Sequence, residues 1–192
     1  MSPTTPRTAR RDESGGQPIV AVVVVILTVV DDGLRVLLIR RSAEPFRDYW
    51  ALPGGLLVEG ESLDRAAARK LHDETGVSDV YLEQLYTFGE LSRGDDAGRG
   101  IAVAYFALVQ HALSRLRESE TWQPAWHNAY ALPALGFDNN AVVDYAVRRL
   151  RSKLEYTNVA YSLLPRTFTL SELQAVYEAI LDRELDKRNF RR

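Results

Sequence analysis

Not one cysteine occurs in the 192 residues, which excludes disulfides, thiolate metal ligands and a cysteine nucleophile together. Histidine is nearly as scarce. The three present, His72, His111 and His127, show no zinc-ligand spacing, so any metal has to be held by carboxylates. Long apolar runs are missing too: the nearest, IVAVVVVILTVV from Ile19 to Val30, is shorter than the ~17–25 residues of a spanning helix. Residues 1–18 are rich in Ser, Thr, Pro, Arg and Gly and lack the apolar stretch of a signal peptide. They read as a disordered arm on a cytoplasmic protein without a membrane anchor. Internal repeats are absent as well.

What is there is a globular composition, 46% hydrophobic and 26% charged, enough for one ordinary domain with a smaller partner. The net charge of −2 hides an asymmetry. Residues 1–147 hold 14 Lys and Arg against 20 Asp and Glu, whereas residues 148–192 hold 10 against 6. A mildly acidic body with a basic end suggests that the end faces a polyanion, the alternative being a merely solvated surface.

The β-branched run Ile19–Val30, the turn Asp31-Asp32-Gly33 and the second run LRVLLI predict a hairpin with both strands in a core. An arginine- and aromatic-bearing loop then leads to Pro53, Gly54 and Gly55. Ser62 is placed to cap a helix with Asp64 in its first turn, Leu63, Ala66, Ala67 and Leu71 on one face, and Gly76 at its end. Val80–Leu91 and Ile101–Val109 read as strands, and a polar stretch around 111–130 is expected to cross back over the sheet. Strands, helix and strands again make an α/β domain over 19–138.

From Asn139 the pattern becomes helical, with Val143, Ala146, Val147, Leu150 and Leu154 in a stripe and arginines between them. Thr169 followed by Glu172 is a capping-box signature, and Leu173, Val176, Tyr177, Ile180 and Leu181 continue its helix. A short link, RELD, precedes KRNFRR, where Asp186 can cap and Phe190 face inward. Two helices so joined, the second basic, fit a helix-turn-helix over 139–192. Arginine can pair with guanine and asparagine with adenine, while lysine holds phosphate. Lys187, Arg188, Asn189, Arg191 and Arg192 are therefore the candidate DNA-binding residues, with Thr169 and Ser171 as phosphate contacts.

Between these halves lies a spaced motif: Gly55, five residues, Glu61, seven residues, then Arg69-Lys70-Leu71-His72-Asp73-Glu74-Thr75-Gly76-Val77. In spacing it resembles the Nudix box, a loop-helix-loop that holds Mg²⁺ or Mn²⁺ on glutamates to cleave nucleoside diphosphates linked to another moiety. Positions 70, 73 and 74 share one helix face, where three carboxylates could share a cation. Here the first is Lys70, the second is shortened to Asp73, and only Glu74 is kept. An ammonium cannot ligate a cation. At an effective dielectric near ~20, two unit charges ~4 Å apart interact by roughly 4 kcal/mol, and a divalent cation is repelled more strongly. Lys70 is also placed four residues before Glu74, the spacing of an internal salt bridge. With Lys70 turned outward, Asp73 and Glu74 would form one weak, vestigial metal position; no catalytic residue is assigned.

Box and C-terminal run together resemble the Nudix-related transcriptional regulators of NAD metabolism. The resemblance covers essentially everything after the N-terminal arm. It implies a Nudix-like α/β/α sandwich with a mixed sheet, followed by a small α-rich winged helix-turn-helix domain. It implies a homodimeric repressor that binds operator DNA and senses ADP-ribose or a related nucleotide without requiring a cofactor. Mg²⁺ enters only with residual hydrolase activity. By the same resemblance Gly55 opens the box loop, Glu61 and Arg69 shape it through a salt bridge, and Arg99 approaches the pocket. Arg40, Arg41 and Arg47, with nearby aromatics, are the cations a diphosphate would need, Arg40 and Arg47 foremost. The sequence stops at Arg192, so the family's β-hairpin wing has no residues here: either the sequence is truncated or the DNA-binding domain is clipped, and a clipped domain would bind DNA more weakly. The rivals are a metal-dependent ADP-ribose pyrophosphatase, suggested by the complete spacing, and a dimerisation scaffold without ligand or DNA.

Overall fold

In the computed structural model, which describes residues 19–89, 100–118 and 123–191, Ile19–Val30 is strand β1 and Gly33–Arg40 is strand β2, paired antiparallel. Asp31 and Asp32 form the turn, with φ of 50° and 54°. Two left-handed residues match the twist of the flanking strands, and Asp is among the few side chains that accept that conformation. Gly33, expected in the turn, opens β2 opposite Val30.

The remaining strands are β3 (Trp50–Ala51), β4 (Gly54–Leu56), β5 (Tyr81–Phe88), β6 (Gly100–Leu108) and β7 (Gln123–Asn128). The sheet runs β3-β2-β1-β6-β5, with β4 paired to β1 and β7 to β2. It is mixed: β1 and β6 are parallel and the other pairs antiparallel. The first helix, α1 (Leu63–Thr75), lies on one face and the second, α2 (Asn139–Lys153), on the other. This covering explains the unbroken apolar run of β1. Val22, Val24 and Ile26 pack with Ala66, Ala67 and Leu71 of α1. Val25 and Leu27 pack with Val142, Val143, Ala146 and Leu150 of α2.

Helix α1 begins and ends where its caps dictate. Ser62 accepts a hydrogen bond from the Arg65 amide, and Gly76, at φ 68°, donates its amide to the His72 carbonyl. The Tyr105 hydroxyl of β6 donates to Asp64 Oδ1 at 2.5 Å and ties the first turn to the sheet. Burial and that carboxylate raise the Tyr105 pKa well above its ordinary value.

Two expectations need correcting. The polar stretch around 111–130 contains a strand, β7, which pairs with β2 from Arg35 to Arg40. Position 139 does not separate two cores. α2 covers the sheet, and the same apolar cluster continues into Leu173, Val176 and Ile180 of helix α3 (Leu170–Leu181). A short helix, α4 (Lys187–Phe190), follows. Among the described residues no helix is long and apolar enough to cross a membrane. The expected N-terminal arm lies outside the described residues.

Candidate ligand cavity and nucleic-acid interface

A cavity of about 390 Å³ opens where β4 lies along the start of β1. Ladder register decides what faces it. Ala21 pairs with Leu56 and Val23 with Gly54, and these four line the cavity together with Gly55, as expected of that residue; Val22, the partner of Gly55, turns its side chain to the other face, toward α1. The two glycines have separate reasons. A Cβ on Gly54 would stand 2.8 Å from the Val22 carbonyl oxygen and 2.9 Å from Val23 Cγ1. A Cβ on Gly55 would meet Lys70, 3.0 Å from Cε and 3.3 Å from Nζ.

The opposite wall holds Arg41, Pro45, Phe137 and Asn139. Arg41 is fixed by its own loop, Nε donating to the Pro45 carbonyl at 2.8 Å and Nη2 to the Ala43 carbonyl at 3.3 Å. Its guanidinium lies 4.6 Å from the centre of the Phe137 ring. Burial lowers its pKa, which Glu44 opposes, and it stays charged because arginine is not deprotonated in proteins. Phe137 and Asp138 both have left-handed backbones, at φ 58° and 55°, uncommon for an aromatic residue. Asn139 is 2% exposed; its Oδ1 accepts the Leu52 amide at 2.9 Å and its Nδ2 donates to the Phe137 carbonyl at 3.4 Å. Apolar walls around one fixed cation suit a planar base attached to a phosphate.

Arg40 and Arg47, expected at the pocket, are not in its wall. Arg40 pairs with Asp48 at 3.6 Å and Arg47 with Glu44 at 3.7 Å, on the surface. Arg41 takes their place because β2 ends at Arg40 and the loop closes on the next residue. The Arg41 amide donates to Tyr49, and its carbonyl accepts from Asp48. Arg99 lies outside the described residues. Phe137 and Asn139 were not foreseen as pocket residues; the nearest sequence signal was the Asn139 helix start.

The box loop is held as the resemblance implies. Arg69 donates from Nε and Nη2 to the two Glu61 carboxylate oxygens, each at 2.7 Å, and Glu61 also accepts the Val58 amide at 3.3 Å. The Arg69 hydrogen bonds bring the Glu61 pKa down to about 2 against a smaller opposing effect of burial, and Glu61 in turn raises that of Arg69. Neither residue lines the cavity. The metal face does not fit a divalent cation. Lys70 occupies its first position and lies against Gly55, while Asp73 is exposed 4.0 Å from Arg69 and Glu74 is only 2% exposed. Among the described residues no three His, Cys, Asp or Glu side chains converge where a metal could sit.

At the other end, Thr169 completes the capping box. Its Oγ1 accepts the Glu172 amide at 3.2 Å, and Glu172 accepts the Thr169 amide at 2.6 Å. Residues 182–186 link α3 to α4. Leu185 fastens the link, its amide donating to Glu178 at 2.7 Å and its carbonyl accepting from Gln174 at 2.9 Å. Asp186 accepts the Asn189 amide at 2.8 Å, and Phe190 packs edge-on against Tyr177 at 5.3 Å. Lys187, Arg188 and Asn189 are exposed. Arg191 donates to Ser171 Oγ at 3.4 Å, bringing those two candidates together. Arg192 lies outside the described residues.

Sandwich, box loop and capped helix pair define the class: a Nudix-type domain carrying a DNA-binding helix-turn-helix. A model of the NUDIX domain matches residues 19–145, and one of the NrtR DNA-binding winged helix domain matches residues 160–192. The chain belongs to the NUDIX family, within the NrtR group that adds this winged helix domain. It is 38% identical over 180 residues to the ADPR responsive transcriptional repressor NtrR of Acinetobacter baylyi, covering 91% of this chain and 71% of that relative. Its fold is similar to that of Shewanella oneidensis NrtR complexed with a 27mer DNA, at a TM-score of 0.79 and 36% identity over 90% of this chain and 80% of that one. The NUDIX domain of the same Shewanella protein, complexed with ADP ribose, matches with a TM-score of 0.62 and 33% identity over 73% of this chain and 94% of that one.

Proposed function

We propose that the chain is a transcriptional repressor of NAD-metabolism genes whose Nudix domain binds ADP-ribose or a related NAD-derived nucleotide without hydrolysing it. One observation carries the reading: a base-sized cavity with Arg41 in its wall shares a continuous apolar core with a capped helix-turn-helix. Arg41 meets the diphosphate, and the apolar wall with Phe137 takes a ring. Relatives crystallised with ADP ribose and with DNA support the same pairing of ligands. Lys70 in place of a ligating glutamate supports binding without metal chemistry. The chain works as a cytoplasmic homodimer, two copies of α4 reading a two-fold operator.

A thermal-shift panel of ADP-ribose, NAD, AMP and nicotinamide mononucleotide tests the ligand half. A true ligand at about 100 times its Kd adds ~2.7 kcal/mol of stability. Titration of duplex DNA at several salt concentrations tests the other half, with binding expected to weaken steeply as salt rises. No shift with any nucleotide, or no duplex binding at low salt, sinks the proposal. The complete box spacing favours the pyrophosphatase as a second reading; Mg²⁺-dependent release of AMP from ADP-ribose, abolished by Glu74→Gln, would establish it.

A further inference from the structure

Helix α3 ends against two side chains, one supplied by α2 and one by the loop after β7. Arg151 of α2 donates through Nε to the Ile180 carbonyl at 2.9 Å and through Nη2 to the Leu181 carbonyl at 3.2 Å. Tyr130, two residues beyond β7, shares its hydroxyl between the carbonyls of Ala179, at 3.1 Å, and Ile180. The Arg151 guanidinium lies 4.9 Å from the centre of the Tyr130 ring, so the two donors also hold each other. A helix leaves its last carbonyls without internal partners and collects negative charge there. Here those carbonyls are met by a cation and a hydroxyl from outside the helix-turn-helix.

Both donors trace back to the cavity. α2 carries Arg151 near its end, and its first residue, Asn139, is in the cavity wall and holds the Leu52 amide. Twelve residues of helix, roughly 18 Å at ~1.5 Å per residue, separate the two. Tyr130 opens the segment that runs to Phe137. Asn140 braces that segment, accepting the Leu135 amide at 2.9 Å and donating to the Pro133 carbonyl at 3.0 Å. Cavity wall and α3 terminus are thus opposite ends of the same two pieces of chain.

We propose that Arg151 and Tyr130 are positioning residues: they set α3 on the Nudix domain and carry occupancy of the cavity to the helix-turn-helix. The inference rests on the nucleotide-responsive reading above. A ligand that presses on Phe137 or Asn139 shifts the head of α2 and the preceding loop, and both movements reach α3 through these two side chains. A purely structural cap would stabilise α3 equally with the cavity full or empty.

The test is the double variant Arg151→Met with Tyr130→Phe, compared with the unmodified protein. The duplex is one selected by the unmodified protein from a random-sequence library. Affinities for ADP-ribose and for that duplex are measured separately, then each in the presence of the other. In the unmodified protein the two ligands are expected to change each other's affinity by the same factor, within the range of about 5- to 150-fold usual for coupled sites. In the double variant both ligands still bind, and the factor falls below about twofold. A double variant that keeps the full factor overturns the inference alone, even if its melting temperature drops. An unmodified protein that binds both ligands without coupling overturns the inference together with the nucleotide-responsive reading, and this is seen before any substitution. If the double variant does not fold, Tyr130→Phe, which keeps the ring and Arg151, is read in the same way: a reduced factor supports the joint and an unchanged one overturns it.

Discussion

Arg69 grips Glu61 across eight residues of chain, with both carboxylate oxygens accepting N–H groups at 2.7 Å. The Glu61 side chain is 13% exposed, and its pKa falls from 4.5 to about 2 chiefly through the Arg69 hydrogen bonds. A carboxyl with a lowered folded-state pKa binds its proton more weakly folded than unfolded. The stability it adds is present above about pH 4.5 and is lost as the pH falls through about 2. Arg69→Met should therefore lower the melting temperature at neutral pH, and the gap to the unmodified protein should narrow as the pH drops through this window. Melting curves at half-unit pH steps check it; a gap that is constant with pH would show that the pair does not control the box loop's acid response.

Arg41 and the two nearby arginines, Arg40 at the end of β2 and Arg47 in the loop, separate cavity chemistry from surface charge. A hydrogen bond to a charged group contributes ~1.5–3 kcal/mol, so Arg41→Met should weaken ADP-ribose binding roughly 10- to 100-fold. Arg40→Met and Arg47→Met remove only exposed ion pairs, worth about 0–1 kcal/mol to stability, and should leave ligand affinity within about twofold. Calorimetric titration of the three variants ranks them. Equal losses at all three positions would mean that the loop as a whole attracts the ligand and Arg41 has no special place.

Leu150 is fully buried in the cluster that joins sheet, α2 and α3. Leu150→Ala should cost about 2–5 kcal/mol, from lost burial and the cavity left behind. Because the apolar core is continuous, Nudix domain and helix-turn-helix should unfold in one transition. Urea unfolding followed by far-ultraviolet circular dichroism and by tryptophan fluorescence checks both statements, and separated midpoints would show two independent units.

Features fixed by near neighbours were legible in the sequence. Ser62 and Gly76 bound α1, and Thr169 with Glu172 starts α3, because a cap is a contact within three or four residues. The Glu61–Arg69 pair came from the resemblance and has the geometry it implied. Features fixed by closure of the chain were not legible. β7, Gln-Pro-Ala-Trp-His-Asn, lacks the β-branched alternation of a strand and is one because β2 offers it an edge. Three arginines stand within eight residues before the box, and only the hydrogen bonds that close the loop single out Arg41. Asn139 looked like a helix start, yet its side chain serves Leu52, 87 residues away. The boundary drawn at 139 followed charge and periodicity, whereas the core follows packing against the sheet.

Thr169 and Arg188 both stand among the candidate DNA contacts, but they face different demands. The Thr169 hydroxyl is engaged with Glu172, so Thr169→Ala should cost about 0.5–2 kcal/mol of stability through the lost cap. Arg188 is exposed on α4 and takes part in no cap. If it neutralises one phosphate, Arg188→Ala should reduce the slope of log affinity against log salt by about 1. Thr169→Ala should leave that slope unchanged, since a neutral hydroxyl releases no counterion. Duplex titrations between 50 mM and 200 mM salt, a span of the order over which phosphate-dominated binding changes strongly, separate the two. Should Thr169→Ala flatten the slope as Arg188→Ala does, the loss of the cap must be moving the basic helix itself, and α3 and α4 would then bind DNA as one rigid pair.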